Sequence, residues 1–402
     1  MAELECDKLI KRDITISDCE EANPDDCNRS YFIYFPTIIC NEQNSSTDVG
    51  DNLPTLPLVF AIHCFGCSAA TMFPSFIQHA NEHNFVLVVP EGINHSWNAR
   101  HCCGYALDNQ LDDVGFISNI QSTLGDKYAF VMPQFTYATG WSNGGFMVMH
   151  ASELFRGIAP IAGFIAGINR GDMTSGGGGK PLFIHQGMDD PFVRPTGCCD
   201  DPNLPKCCCN IAADTCTGAI DVTRNWAVEV NGCPNDEKLL VETSYTNVEL
   251  GIRCLTSSNC MANTTICTYE RSGHFNKPSF EKAFPMASDV MNFFARDACE
   301  VNDGKWNGID RTCLCNTKFS GPFCLDAVAT RSTGTTSTSR VFATIIVLIM
   351  LVLAVSFVMI QKLRRHGRKN ERGGKYTKVE YDIEIANQIG GDEARNPSDS
   401  VK

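Results

Sequence analysis

The chain has 402 residues, of which 43% are hydrophobic and 20% charged, so it is expected to fold around a sizeable core rather than remain disordered. Its formal net charge of −13 disfavours nucleic acids and anionic surfaces as partners and favours neutral or weakly charged substrates. The 22 cysteines run from Cys6 to Cys324 and all precede one apolar block, which indicates an oxidising compartment for that part.

The clustered cysteines have two chemical interpretations, disulfides and a metal site. Their densest run, Cys198 to Cys216, lacks the regular CxxC or Cys/His spacing of zinc ligands. Disulfides are therefore the better interpretation, and neither a metal nor a cofactor is expected. Because the run is too polar for a core element, we predict a disulfide-tied loop at the rim of a site.

The first part of the chain predicts a disulfide-stapled segment followed by a βαβ unit. Residues 1–54 are polar and contain cysteines, and the β-prone run Tyr31–Ile39 within them predicts a hairpin or an edge strand. Leu56–His63 is a continuous apolar run, typical of a strand buried on both faces of a parallel sheet. A predicted helix over residues 70–83 and a second buried strand over Asn84–Pro90 complete the unit.

Later segments continue this alternation of strands and helices. An aspartate, Asp112 or Asp113, is placed to cap a helix that runs to about Leu124, since its side chain can accept from the first free backbone N–H groups. The other predicted strands are Phe135–Thr139, Ile158–Phe164, Pro181–His185 and Thr265–Tyr269, and the other predicted helices are Phe146–Leu154, Val222–Val230 and Ser288–Arg296. This order predicts an α/β fold, with a mostly parallel sheet and helices on both faces.

Residues 140–144, Gly-Trp-Ser-Asn-Gly, lie at a predicted strand-to-helix turn. They match the Gly-x-Ser-x-Gly motif of a nucleophile elbow, in which the flanking glycines avoid a clash with neighbouring backbone. Ser142 is therefore the candidate nucleophile. Because so short a motif matches many unrelated loops, its interpretation depends on a base and an acid elsewhere in the chain.

A serine nucleophile needs a base to take its proton and an acid to orient that base. Asp190 and His274 each follow a predicted strand, and the order Ser142, Asp190, His274 is that of α/β-hydrolases. Residues far apart in sequence can meet at the carboxyl edge of a parallel sheet. Asp189 remains an alternative acid. The histidines that could act instead of His274, or could simply be packed, are His63, His150 and His185.

Several motifs occur together in the order found in one known family. They are His63-x-x-Gly66, Ser96-Trp97-Asn98, Cys102-Cys103-Gly104, Asp112 to Phe116, Gly140 to Gly145, Asp190-Pro191, Trp226 with Asn231-Gly232-Cys233, and Gly273-His274. On these residues, the region 55–297 resembles the secreted polyhydroxybutyrate depolymerase and feruloyl or acetylxylan esterase family, which has an α/β-hydrolase fold. The resemblance implies Ser142 as nucleophile, His274 as general base and acid, and Asp190 as the orienting carboxylate.

The same resemblance implies an oxyanion hole and a class of substrate. The oxyanion donors would be the backbone N–H of Asn143 and one N–H from the turn at Cys64 and Phe65. The substrate would be a carboxylic ester of the polyester, feruloyl or acetyl type, either small or bound to a polymer.

Residues 298–326 have their own cysteine pattern, a Cys-x-Cys pair followed by a glycine and a further cysteine. It resembles the C-terminal half of an EGF-like module, and with four cysteines the module is partial. The resemblance implies that Cys315 pairs with Cys324. It also implies that Cys313 pairs with an earlier cysteine, for which Cys299 is the candidate.

The C-terminal part predicts a membrane anchor. Residues 327–340 are rich in Ser and Thr and predict a stalk, and residues 341–360 are an uncharged run long enough for a transmembrane helix. Basic residues then place the tail, 361–402, in the cytoplasm and the N-terminal domain outside. Met1–Lys8 lacks the apolar core of a signal peptide, so the sequence is expected to lack its true start. The glycosylation candidates are Asn28, Asn44, Asn94 and Asn263.

Two hypotheses of different classes follow. The leading one is a single-pass cell-surface serine esterase, anchored by one membrane helix and without a nucleic-acid partner. The alternative is a catalytically inactive hydrolase fold used for adhesion or carbohydrate binding, which the EGF-like segment favours. A serine-directed probe distinguishes them, because only the first requires a reactive Ser142.

Overall fold

A computed structural model describes most of the region before residue 328. The described residues are 5–16, 23–45, 53–100, 102–164, 179–197, 217–243, 246–275, 286–301 and 303–327. All of them fall within one unit, Met1–Thr330. The predicted rim loop at Cys198 to Cys216, the transmembrane segment and the tail lie outside them, as does the stalk after residue 327. Within the described part, no helix has both the length and the apolar character needed to cross a membrane.

One large sheet organises the described residues. Its strands are β1 Leu9–Thr15, β2 Asn28–Tyr34, β3 Leu56–Ile62, β4 Val86–Pro90, β5 Val131–Trp141, β6 Gly157–Ile161, β7 Leu182–Gly187, β8 Leu240–Glu242, β9 Ile252–Ser257 and β10 Thr264–Tyr269. Their order is β1-β2-β4-β3-β5-β6-β7-β10-β9-β8. The strands from β4 to β10 in this order are parallel, and the outer pairs, β1 with β2 and β8 with β9, are antiparallel. The predicted mostly parallel sheet is confirmed.

The central strands follow the predicted runs closely because they are buried on both faces. Every residue of β3, β4, β6 and β7 is buried, so the apolar pattern in the sequence is continuous there. The strands β8 and β9 were not predicted. β8 has only three residues, and β9 mixes buried, partly buried and exposed positions with Arg253 and Thr256, so neither has a continuous apolar run.

The predicted strand at Tyr31–Ile39 is correct only in its first half. Residues up to Tyr34 form β2, which pairs with β1 as a hairpin. The following segment instead begins a helix at Thr37. Pro36 accounts for the break, because proline has no N–H to continue the strand ladder and is tolerated just before a helix.

Helices cover both faces of the sheet. They are α1 Thr37–Ser45, α2 Ala69–Glu82, α3 Tyr105–Asp108, α4 Asp113–Lys127, α5 Asn143–His150, α6 Ala219–Glu229 and α7 Met286–Glu300. Buried side chains of α4, α5 and α6, such as Phe116, Met147 and Trp226, pack in one core, and those of α2 and α7, such as Phe76 and Phe294, pack in a second. The aspartate that caps α4 is Asp112, whose side chain accepts from the backbone N–H of Gly115 at 2.7 Å.

The described residues after α7 form two small hairpins. Since α7 runs from Met286 to Glu300, it continues without a break across the predicted domain boundary at residue 297. The strands of the hairpins are β11 Lys305–Asn307, β12 Thr312–Leu314, β13 Phe319–Ser320 and β14 Asp326–Ala327. Disulfides join Cys299 to Cys313 and Cys315 to Cys324. The Asp326 carboxylate also accepts from the backbone N–H of Thr55, at the start of β3, so this segment is tied to the main sheet.

Disulfides are present in the rest of the described region as well. The pairs are Cys6–Cys40, Cys64–Cys67, Cys102–Cys103, Cys233–Cys260 and Cys254–Cys267. The pair Cys254–Cys267 joins β9 to β10, and the other four pairs close turns or join segments outside the strands. The interpretation of the cysteines as disulfides is therefore confirmed for these residues.

Candidate active site

Ser142 lies at a sharp turn between β5 and α5. Its backbone has φ 56° and ψ −118°, which is strained for a residue with a side chain. The flanking glycines are required by close backbone contacts, since a Cβ on Gly140 would lie 2.2 Å from the carbonyl oxygen of Gly144, and one on Gly144 would lie 2.2 Å from that of Ile62. The turn therefore has the geometry of a nucleophile elbow.

The Ser142 hydroxyl contacts His274, which in turn contacts Asp190. His274 Nε2 lies 2.8 Å from Ser142 Oγ, and His274 Nδ1 lies 2.7 Å from Asp190 Oδ2. The three side chains come from the ends of β5, β7 and β10, strands that carry them to the same carboxyl edge of the sheet. A His274 tautomer with its proton on Nδ1 donates to Asp190 and leaves Nε2 free to accept the serine proton.

The Asp190 carboxylate is buried, and each of its oxygens has a separate set of partners. Oδ1 accepts backbone N–H bonds from Phe192 at 2.8 Å and Val193 at 2.9 Å. Oδ2 faces His274, with the Gln186 side-chain amide 3.5 Å away. The neighbouring Asp189 is exposed. The backbone path after β7 thus directs the second of the two aspartates, and not the first, at the histidine.

The turn after β3 carries Cys64 and Phe65, from which the second oxyanion donor is expected. The carbonyl oxygen of Cys64 accepts from the backbone N–H of Cys67 at 3.1 Å and contacts His63 Nδ1 at 2.8 Å, and a disulfide closes the same turn. With the Cys64 carbonyl held in this direction, the N–H of Phe65, on the opposite edge of the same planar peptide, points away from His63. The candidate donor Phe65 thus belongs to backbone that other contacts hold in place.

The Asn143 side chain has a role that the motif does not reveal. It is buried, its Oδ1 accepts from the backbone N–H of Trp97 at 2.8 Å, and its Nδ2 donates to the carbonyl oxygens of Trp97 at 3.1 Å and Cys102 at 2.9 Å. The Trp97 indole N–H donates to the carbonyl oxygen of His63 at 2.9 Å. These bonds tie the loop at 97–103 to both the elbow and the turn after β3.

The structure gives the other histidines different environments. His63 is buried, and its Nε2 accepts from the backbone N–H of Gly92 at 2.9 Å. Burial lowers its pKa to about 4. His185 is also buried, with Nδ1 2.7 Å from the Tyr269 hydroxyl, and burial lowers its pKa to about 3. Both are neutral packed imidazoles at neutral pH. His150 ends α5.

These buried histidines predict a loss of stability in acid. Burial lowers the pKa of His63 and His83 to about 4 and that of His185 to about 3, from 6.5. Below pH 6.5 the unfolded chain binds protons at these three histidines that the folded chain cannot, so the free energy of unfolding should fall as pH drops from about 6.5 to about 4. Burial raises the pKa of Asp289 to about 7, and this one group acts in the opposite direction without outweighing the three histidines. Each group contributes up to about 1.4 kcal/mol per pH unit. Urea unfolding at pH 7 and pH 5 measures the difference.

The variant for this measurement is His83→Gln, compared with wild type. The His83 ring is buried, and neither ring nitrogen has a hydrogen-bond partner among the described residues, so its removal should reduce the pH dependence. Equal pH dependence in wild type and His83→Gln would contradict the expectation.

Comparisons with known proteins found matches to this chain among solved structures only. No protein-family model matches the chain, and no curated protein matches it. An acetyl xylan esterase from Aspergillus awamori superposes with a TM-score of 0.39 at 13% identity, covering 66% of this chain and 94% of that one. An S-formylglutathione hydrolase from Agrobacterium tumefaciens gives 0.42 at 10%, covering 71% and 94%. A poly(3-hydroxybutyrate) depolymerase from Bordetella parapertussis gives 0.33 at 15%, covering 49% and 69%.

Proposed function

We propose that the chain is a serine esterase that hydrolyses carboxylic esters through an acyl-enzyme. We base this on one observation, the unbroken hydrogen-bonded series from Ser142 through His274 to the buried Asp190, with separations of 2.8 and 2.7 Å. A fold that had lost catalysis would have no need to keep a strained serine in contact with a histidine and a buried acid. This favours the esterase over an inactive adhesion or carbohydrate-binding protein.

In the acylation step, Ser142 Oγ attacks the ester carbonyl carbon while His274 Nε2 takes the hydroxyl proton. The carbonyl oxygen becomes an oxyanion, for which the backbone N–H groups of Asn143 and Phe65 are the candidate donors. Asp190 stabilises the imidazolium that forms and holds it in orientation. When the tetrahedral intermediate collapses, His274 gives the proton to the leaving alkoxide oxygen, and the alcohol departs.

In the deacylation step, a water molecule replaces the alcohol. His274 removes a proton from the water as its oxygen attacks the acyl carbon, and then returns a proton to Ser142 Oγ as the bond to serine breaks. The products are a carboxylic acid and the free enzyme. The acyl group is proposed to be of the hydroxybutyryl, feruloyl or acetyl type, either in a small ester or on a polymer.

We further propose that this esterase works outside the cell, on a membrane anchor formed by residues 341–360. Disulfides such as those of the described region form and persist in an oxidising compartment. The sequon asparagines whose side chains the structure describes, Asn28, Asn94 and Asn263, are exposed and would be open to glycosylation.

Labelling with a fluorophosphonate tests the proposed function directly. The folded full-length chain should bind one equivalent of probe, and mass spectrometry of the digest should locate it on the peptide that contains Ser142. Heat-denatured chain serves as the control, because an unfolded chain has no His274 beside the serine to activate it. A folded chain that takes up no probe would refute the esterase and leave the adhesion hypothesis.

A further inference from the structure

Phe192 lies in contact with the proposed catalytic histidine, yet most of its side chain faces solvent. It is 62% exposed, and its ring centroid is 5.3 Å from that of His274, with the two rings inclined at 69°. A single exposed apolar residue is ordinary on a protein surface. An exposed aromatic ring edge-on to a group that transfers protons is a more specific arrangement, because substrate must approach that group.

The position of Phe192 is fixed by the same carboxylate that orients His274. Asp190 Oδ1 accepts from the backbone N–H groups of Phe192 and Val193, while Oδ2 faces the imidazole. The Gln186 side-chain amide donates to the carbonyl oxygen of Val193 at 2.8 Å, which closes the loop against β7. The backbone that carries the aromatic ring is therefore held beside the histidine.

The chemistry of acylation decides which part of an ester lies beside Phe192. The leaving oxygen must come within hydrogen-bonding distance of His274 Nε2 to receive its proton. The alcohol is bonded directly to that oxygen, so the alcohol lies closer to the imidazole than the acyl chain does. A ring packed against the imidazole can therefore contact the alcohol.

We propose that Phe192 forms one wall of an alcohol subsite and that the enzyme prefers esters whose alcohol carries a flat apolar group. Because an alcohol side exists only if Ser142 forms an acyl-enzyme, this subsite depends on the function proposed above. An aryl group on the alcohol can pack on the exposed Phe192 ring and remove both surfaces from water. Methanol is too small to do so.

A second exposed aromatic, Phe65, belongs to a different loop, the turn after β3, and provides a comparison. It is 54% exposed and belongs to the turn that carries the candidate oxyanion donor. Its ring lies against Gly104, where a Cβ would come within 2.3 Å of it. Since the oxyanion turn is not the side on which the alcohol leaves, truncating Phe65 should affect the choice of alcohol much less than truncating Phe192.

The experiment compares methyl acetate with benzyl acetate, which share an acyl group and have leaving alcohols of similar acidity. In Phe192→Ala, the ratio of kcat/KM for benzyl over methyl acetate should fall about tenfold relative to wild type, equal to about 1.4 kcal/mol. The hydrolysis rate of the common acetyl-enzyme should not depend on which ester formed it. Phe65→Ala should keep the ratio within about threefold, since a small loss of apolar contact is worth no more.

Ile309→Ala is the matched control, because Ile309 is 93% exposed but belongs to the hairpin of β11 and β12. That hairpin contacts the C-terminal end of α2 through the ion pair of Arg311 with Glu82. Since α2 begins after the carboxyl end of β3, this contact lies toward the amino ends of the strands, opposite to the proposed site. An unchanged ratio in Phe192→Ala would overturn the alcohol subsite, and so would an equal loss for both esters, which would mean that Phe192 acts on His274. A loss of activity confined to an insoluble polyester film would show that Phe192 binds the polymer surface instead. This result would also overturn the alcohol subsite.

Fluorophosphonate labelling of each variant separates this inference from the proposed function. Normal labelling of Phe192→Ala with an unchanged ratio refutes the subsite and leaves the esterase intact. Absence of labelling in the wild type refutes the esterase itself, and the subsite with it.

Discussion

Replacing Ser142 by alanine is expected to lower kcat for ester hydrolysis by about a millionfold, as when the nucleophile of a serine triad is removed. The Ser142 hydroxyl is the group that His274 Nε2 contacts at 2.8 Å, and alanine offers no atom that can form the acyl-enzyme. The measurement is hydrolysis of methyl and benzyl acetate by the purified full-length chain, followed to the background rate. Some residual rate above water is expected, because the candidate oxyanion donors remain.

Ser122→Ala is the control for this prediction. It removes an exposed serine hydroxyl from α4, far from the carboxyl ends of the strands, and should leave kcat unchanged. Thermal unfolding of both variants shows whether the fold is kept, since alanine at 142 must adopt the same positive φ as serine. A folded Ser142→Ala that retains more than about a tenth of wild-type kcat would refute the assignment of the nucleophile.

The sequence predicted the centre of the sheet better than its edges, for a physical reason. A strand buried on both faces requires apolar residues throughout, as in β3 and β4, and such a run is visible without knowledge of its neighbours. A strand near the edge of the sheet, such as β9 between β10 and the short β8, needs apolar residues on one face only. Its pairing with β10 is held partly by the disulfide between Cys254 and Cys267, and a partner of that kind cannot be read from local periodicity.

The proposed site likewise contains residues that the sequence predicted and residues that it did not. The turn around Ser142 was recognisable because close backbone approach forces glycine at fixed positions beside it. The contacts of the Asn143 side chain, and those of Gln186 and Phe192, depend on how separate loops meet at the end of the sheet. No spacing in the sequence predicts those contacts, so the roles of these residues can be recognised only once the strands have been placed side by side.

The choice between the two adjacent aspartates gives the second large expected effect. Asp190→Asn should lower kcat about ten-thousandfold, as when the triad acid becomes an amide. In this chain the amide oxygen would stay with the backbone N–H groups of Phe192 and Val193, because both need an acceptor. The amide nitrogen would then face His274 Nδ1, which must give up its proton to Nε2. That tautomer cannot accept the Ser142 proton.

Asp189→Asn is the isosteric control one residue away. Asp189 is exposed, and its backbone N–H bond to the carbonyl oxygen of Ser272 at 2.9 Å survives the change, so kcat should stay within about threefold of wild type. Parallel kcat measurements with benzyl acetate, together with thermal unfolding, separate a catalytic loss from a folding defect. Equal losses in the two variants would mean that neither carboxylate alone orients the histidine. A larger loss in Asp189→Asn would reassign the acid, because only a carboxylate in contact with His274 can hold its proton on Nδ1.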